Sequence, residues 1–149
     1  MSSAHSKWHW PSIISAVAFA GFSAVHLIDD FISDIPREFN LTIPVTEFLA
    51  LAYMVALVGL IAAASHRSPT GYLGLAIAGL LISITQLTKS VPEILRPGPW
   101  REGLSSELLA AGLAVSAVLT MVAGFLAWRP AATEGRGPSS GAPLPRPPA

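Results

Sequence analysis

The chain has 149 residues, of which 52% are hydrophobic and 12% charged, and its formal net charge is zero. Its mean hydropathy is +0.56, whereas a soluble domain of this size carries about 25% charged residues. The neutral balance excludes a basic nucleic-acid-binding face, and the absence of cysteine excludes disulfides and thiolate metal sites.

Residues 1–10 form a short N-terminal segment ending in Trp8 and Trp10, both placed where an indole sits at the headgroup level. Lys7, the apolar run from Ile13 and the Ala18-Phe19-Ala20 sequence resemble a secretory signal with an A-x-A cleavage site. The apolar run continues to Ile28, beyond the core of such a signal, so 11–31 is read as a first membrane span. Further spans follow at 45–65, 71–88 and 104–128, each close to the roughly 20 residues that cross a bilayer as a helix. A tight turn, His66-Arg67-Ser68-Pro69-Thr70, joins spans two and three. The connections near 33–44 and 89–103 are longer, rich in Pro and charge, with a short interfacial helix expected at 91–95. Tyr72, Trp100 and Trp128 mark further headgroup positions. Residues 129–149 hold six prolines and no aromatic residue, and such a tail is expected to be disordered because it cannot bury enough apolar surface to offset its ordering entropy. The expected fold is therefore all-α, a four-span transmembrane helical bundle.

Two stripes of small residues mark packing faces. Ser12, Ala16, Ala20 and Ala24 recur every four residues in span one, as do Gly112, Ser116, Thr120 and Gly124 in span four. Small residues let helix backbones approach closely in lipid, where no hydrophobic effect drives association.

Charge is divided by side. Four spans put the first and third connections on one face, with Asp29, Asp30, Asp34, Glu38, Glu47, Glu93, Glu102 and Glu107 against Arg37, Lys89, Arg96 and Arg101, a net of −4. The terminal face holds Lys7, Arg67, Arg129, Arg136 and Arg146 against Glu134, a net of +4. Lys7, Arg67 and Arg129 stand immediately beside span ends, so the positive-inside rule places both termini in the cytoplasm. The expected location is the cell (plasma) membrane, with the acidic face outside.

The halves of the chain also resemble each other at an offset of 60 residues. Sliding 13–65 over 73–125 aligns Ala16 with Ala76, Ser23 with Ser83, Leu27 with Leu87 and Glu47 with Glu107, with ten identities in 53 positions. Two tandem helical hairpins related by an axis along the membrane normal would give this pattern.

Candidate chemistry lies on the acidic side. In His26-Leu27-Ile28-Asp29-Asp30, helical spacing brings His26 onto one face with both carboxylates. His26 lies inside the apolar region, where an ionisable group faces the bundle interior or a wet cavity. It reads as part of a metal-ligand pair or as a proton-relay histidine, or more plainly as a helix-end histidine hydrogen-bonded to a neighbouring span, since one histidine makes a poor metal site. Glu47 and Glu107 each follow Thr or Ser and open a span, so Thr46 and Ser106 are N-cap candidates and the glutamates favour the helix dipole. Gln86 and Lys89 end span three on the same side. Lys89 serves equally as a neutralising partner for the acids or as a lysine snorkelling to the interface. His5, His9 and His66 lie at the other face, too far to join His26.

These residues support a polar pocket suited to a small molecule or cation, built from His26, Asp29, Asp30, Glu47, Gln86, Lys89 and Glu107, with no metal site expected and no particular cofactor indicated. The partners are the lipid bilayer and either other membrane subunits, with the chain as an accessory subunit, or further copies of the chain. The alternative is a small membrane enzyme using His26 with Glu47 or Glu107 as an acid–base pair on a lipid-soluble substrate. A stand-alone transporter is disfavoured, because the inner halves of spans two and four are apolar apart from Thr120 and the terminal Ser65.

Overall fold

The computed structural model describes residues 4–32, 42–95 and 104–134, which form four helices. These are α1 (Ala4–Ile32), α2 (Ile43–Ser65), α3 (Pro69–Ile94) and α4 (Leu104–Glu134). All four are long and apolar enough to cross a membrane. Even α2, with 23 residues, reaches about 34 Å at 1.5 Å per residue, against about 30 Å of hydrocarbon.

The helices overrun the expected spans, and side-chain contacts account for it. α1 runs through Pro11 back to Ala4, although an interior proline removes one ladder hydrogen bond. Its early turns are held by Trp8, which packs on the core, and by a hydrogen bond between His9 Nδ1 and the Tyr72 hydroxyl. α4 likewise continues through Pro130 to Glu134, because Ala127 and Ala131 on either side of the proline are both buried. The expected tail thus gives up 129–134 to α4, and its remainder lies outside the described residues, as do 33–41 and 96–103. The interfacial helix expected at 91–95 is instead the end of α3.

α2 begins at Ile43 with Thr42 as its N-cap and a proline in its first turn. The Thr46 hydroxyl donates back to the Thr42 carbonyl at 3.2 Å, so Thr46 is not the cap and Glu47 lies past the first turn. At the other end, Arg67 N–H donates to Ala64 O and Ser68 N–H to Ala63 O. That pair of bonds closes a Schellman motif, and Arg67 takes the left-handed position at φ 61°, where a non-glycine residue costs about 1–2 kcal/mol.

Each helix packs on its two neighbours in a ring, most closely α3 with α4, then α1 with α4. α2 is the peripheral member, with only Leu57 and Ala64 buried. The core joins Ala16, Phe19, Leu57, Leu75, Leu113 and Ala117. The small-residue stripes face inward, with Ser12, Ala16, Ser116 and Thr120 all buried. Ser83, Ser116 and Thr120 donate to carbonyls of their own helices at 2.6–3.0 Å, so these hydroxyls fill helix interfaces without orphaned donors. Large apolar side chains are exposed on every helix, among them Ile14, Phe48, Val55, Leu81 and Val115. Such a surface fits a membrane protein and not a water-soluble bundle.

Candidate functional site

The C-terminal ends of α1 and α3 and the N-terminal ends of α2 and α4 meet at one end of the bundle, the acid-rich end. His26 continues the inward face of α1 that begins at Ser12 and runs through Ala16, Phe19 and Ser23, all buried. One turn on, Asp30 presents its carboxylate to His26 Nε2 at 3.9 Å, with side-chain exposures of 29% and 19%. His26 Nδ1 is buried and has no hydrogen-bond partner among the described residues. Asp29, on the neighbouring ridge of α1, accepts a hydrogen bond from Ser106 Oγ of α4 at 2.6 Å. Ser106 therefore ties α4 to α1 through its side chain, where the sequence alone suggested a cap for its own helix.

The other expected site residues are distributed as follows. Gln86 is buried on α3, eight residues before its end at Ile94, and Glu107 is half-buried in the first turn of α4. Glu47 is exposed on α2. Lys89 belongs to α3, and its side chain lies outside the described residues. The structure thus pairs His26 with Asp30 and Asp29 with Ser106, and it leaves Glu47 on the bundle surface. Among the described residues, no group of three or more His, Cys, Asp or Glu side chains could hold a metal ion.

Two polar pairs escaped the sequence reading. Tyr72 is 2% exposed, not a headgroup anchor, because its hydroxyl meets His9 Nδ1 at 2.7 Å inside the opposite end of the bundle. The buried hydroxyl of an aromatic residue normally finds such a partner. Spacing offered a signal, since His9 precedes Ser12 and Ala16 on the same face of α1. In the middle of the bundle, Ser23 Oγ and Tyr53 OH lie 3.0 Å apart and link α1 to the otherwise loosely held α2.

Compared with protein families, with curated proteins and with solved structures, the chain finds no match.

Proposed function

We propose that the protein is an integral membrane protein of the cell membrane, with both termini cytoplasmic, that binds a small molecule or cation in a polar pocket at its acidic, outer end. The observation that carries this reading is the orphaned Nδ1 of His26, whose Nε2 lies 3.9 Å from the Asp30 carboxylate. Buried polar atoms in folded proteins are almost always hydrogen-bonded, and an exception asks for an explanation. With the proton on Nε2, facing Asp30, Nδ1 offers a lone pair to a donor. A ligand bearing an N–H, an O–H or a positive charge suits that lone pair, with the Asp30 carboxylate near the other ring nitrogen. In this reading Asp29, Asp30, Gln86 and Glu107 complete the pocket, whereas Glu47 is exposed on α2. Because His26 pairs with Asp30 and Glu47 is exposed, binding is favoured over acid–base catalysis by His26 with Glu47 or Glu107.

A tandem origin of the two hairpins is part of the proposal. Among the described residues of the first hairpin, seven are buried: His9, Ser12, Ala16, Phe19, Ser23, Leu57 and Ala64. All but His9 fall, 60 positions on, upon buried residues of the second: Tyr72, Ala76, Gly79, Ser83, Ala117 and Gly124. Under that register His26 corresponds to Gln86, which puts one polar side chain from each hairpin at the same end.

Binding is tested by thermal unfolding of the purified chain in detergent with sodium, potassium, magnesium, calcium and alkylammonium salts. A ligand at about 100 times its Kd stabilises by about 2.7 kcal/mol, and His26→Ala is expected to abolish that shift. If no cation shifts the wild type, or the shift survives His26→Ala, the pocket is not a cation site. Membrane topology is tested separately with reporter fusions after Arg67 and after Arg96, which are expected on opposite sides. Finding both reporters on the same side overturns the four-span arrangement.

A further inference from the structure

α3 and α4 meet almost backbone to backbone. A Cβ built on Gly79 would stand 2.5 Å from Ala117 O and 2.7 Å from Met121 N, and one on Gly124 would stand 2.9 Å from Tyr72 O. Where two helices touch through glycine, their bulky neighbours splay outward on either side. Ile77 and Leu80 of α3 and Val122 and Phe125 of α4, each 41–49% exposed, form the walls of an open cleft with buried Ala76 at its floor. The cleft holds about 370 Å³ and its lining is wholly apolar. It extends from Leu73 to Leu80 along α3, about 10 Å of helix axis.

Its end near the basic face is marked by charge. The Arg129 guanidinium lies 5.0 Å from the centroid of the Phe125 ring, the same ring that walls the cleft. The Trp128 ring lies 5.6 Å from that of Phe125, tilted by 33°, at the level where an indole meets headgroups. Only Glu134 among the nine acids belongs to this face, whereas Lys7, Arg67 and Arg129 all do.

From this geometry we infer that the α3/α4 cleft binds an anionic glycerophospholipid, with one acyl chain along Ile77, Leu80, Val122 and Phe125 and the phosphate at Arg129. The inference rests on the bundle spanning a bilayer. An acyl chain fits a short apolar channel that ends at a cation. A partner transmembrane helix would seek contact across much of the roughly 30 Å hydrocarbon layer, which a cleft of this length does not provide. The cation–π contact holds Arg129 over the ring and so fixes the phosphate position directly above the chain.

The test uses the full chain, delipidated in detergent, with phosphatidylglycerol or phosphatidylcholine of identical acyl chains added back and bound lipid counted by native mass spectrometry. One juxtamembrane cation favours an anionic lipid by about fivefold, so phosphatidylglycerol is expected to be retained about fivefold better. Arg129→Gln is expected to remove this preference, while Arg67→Gln, which changes the charge of the same face equally, preserves it. Leu80→Trp fills the cleft with Arg129 intact and is expected to lower retention of both lipids. A preference that survives Arg129→Gln, or that falls equally with Arg67→Gln, overturns the site, as does unchanged retention in Leu80→Trp. Alkaline carbonate extraction separates the two levels of the argument. A chain that stays with the membrane but shows no lipid preference loses only the lipid site, whereas a chain released to the supernatant loses the membrane reading and this inference together.

Discussion

Alanine at Gly79 is expected to lower the thermal unfolding temperature of the purified bundle, and alanine at Gly59 to raise it. Both glycines lie within apolar helices, and in isolation each exchange favours the helix by up to about 1 kcal/mol. At Gly59 nothing lies within 4 Å of the added methyl, so the propensity gain is realised. At Gly79 the methyl meets Ala117 O at 2.5 Å and Met121 N at 2.7 Å, and both are backbone atoms that no rotamer change can move. α3 and α4 must separate, and they form the closest packed pair in the bundle. Overpacking of this kind costs about 1–3 kcal/mol, and the larger side chain of Gly79→Leu is expected to prevent assembly. The comparison is made by thermal unfolding in one detergent, with helical content checked by circular dichroism. Equal behaviour of the two alanine variants would mean that α3 and α4 do not touch through their backbones.

The existence and order of the four helices were legible in the sequence because apolar runs near 20 residues have few alternatives. The small-residue stripe in span four was informative for a related reason. Ser116, Thr120 and Gly124 recur at helical spacing and are all buried. Helix ends were less legible: the expected spans begin at 11 and end at 128, beside Pro11 and Pro130, whereas α1 and α4 run through both prolines. A stop signal in sequence is local, while the contacts that override it come from other helices: Tyr72 reaches His9 from α3, and the Ala127–Ala131 face is buried in the bundle. The unequal packing of α2 was not legible at all. Its composition is the most uniformly apolar of the four, and nothing in such a run separates a face turned to protein from one turned to lipid.

Of the candidate site, the part carried within one helix was legible. His26 and Asp30 are four residues apart, and the structure places them 3.9 Å apart across one turn. The link between helices was not, because Ser106 next to Glu107 looks like a capping sequence, and only the approach of α1 turns its hydroxyl toward Asp29. Glu47 shows the same limit from the opposite direction. Its alignment with Glu107 implies equivalent surroundings, yet Glu47 is exposed and Glu107 half-buried, because α2 packs loosely on its neighbours and α4 closely.

Asp29 is expected to separate the fold of this end from its chemistry. The carboxylate accepts a 2.6 Å hydrogen bond from Ser106, a charge-assisted contact of the kind that contributes about 1.5–3 kcal/mol. Asp29→Ala removes it and leaves the hydroxyl of a 5% exposed serine without that acceptor, so a loss in this range is expected. Partial exposure of Asp29 and competition from water place the result toward its lower end. Asp29→Asn keeps an acceptor oxygen of the same shape and is expected to cost less than about 1 kcal/mol, the scale of a neutral bond. A double-mutant cycle with Ser106→Ala isolates the contact, and a coupling above about 0.5 kcal/mol is expected for residues in direct contact. Additivity within that margin would show that the bond does not hold α1 to α4. The functional readout then differs from the structural one. If the pocket binds a cation, Asp29→Asn folds like the wild type yet loses most of the cation-dependent thermal shift, because the amide keeps the hydrogen bond and drops the charge. Should Asp29→Asn retain the full shift, the carboxylate serves only to fasten α4 to α1, and the ligand must be held by His26 and Asp30 without it.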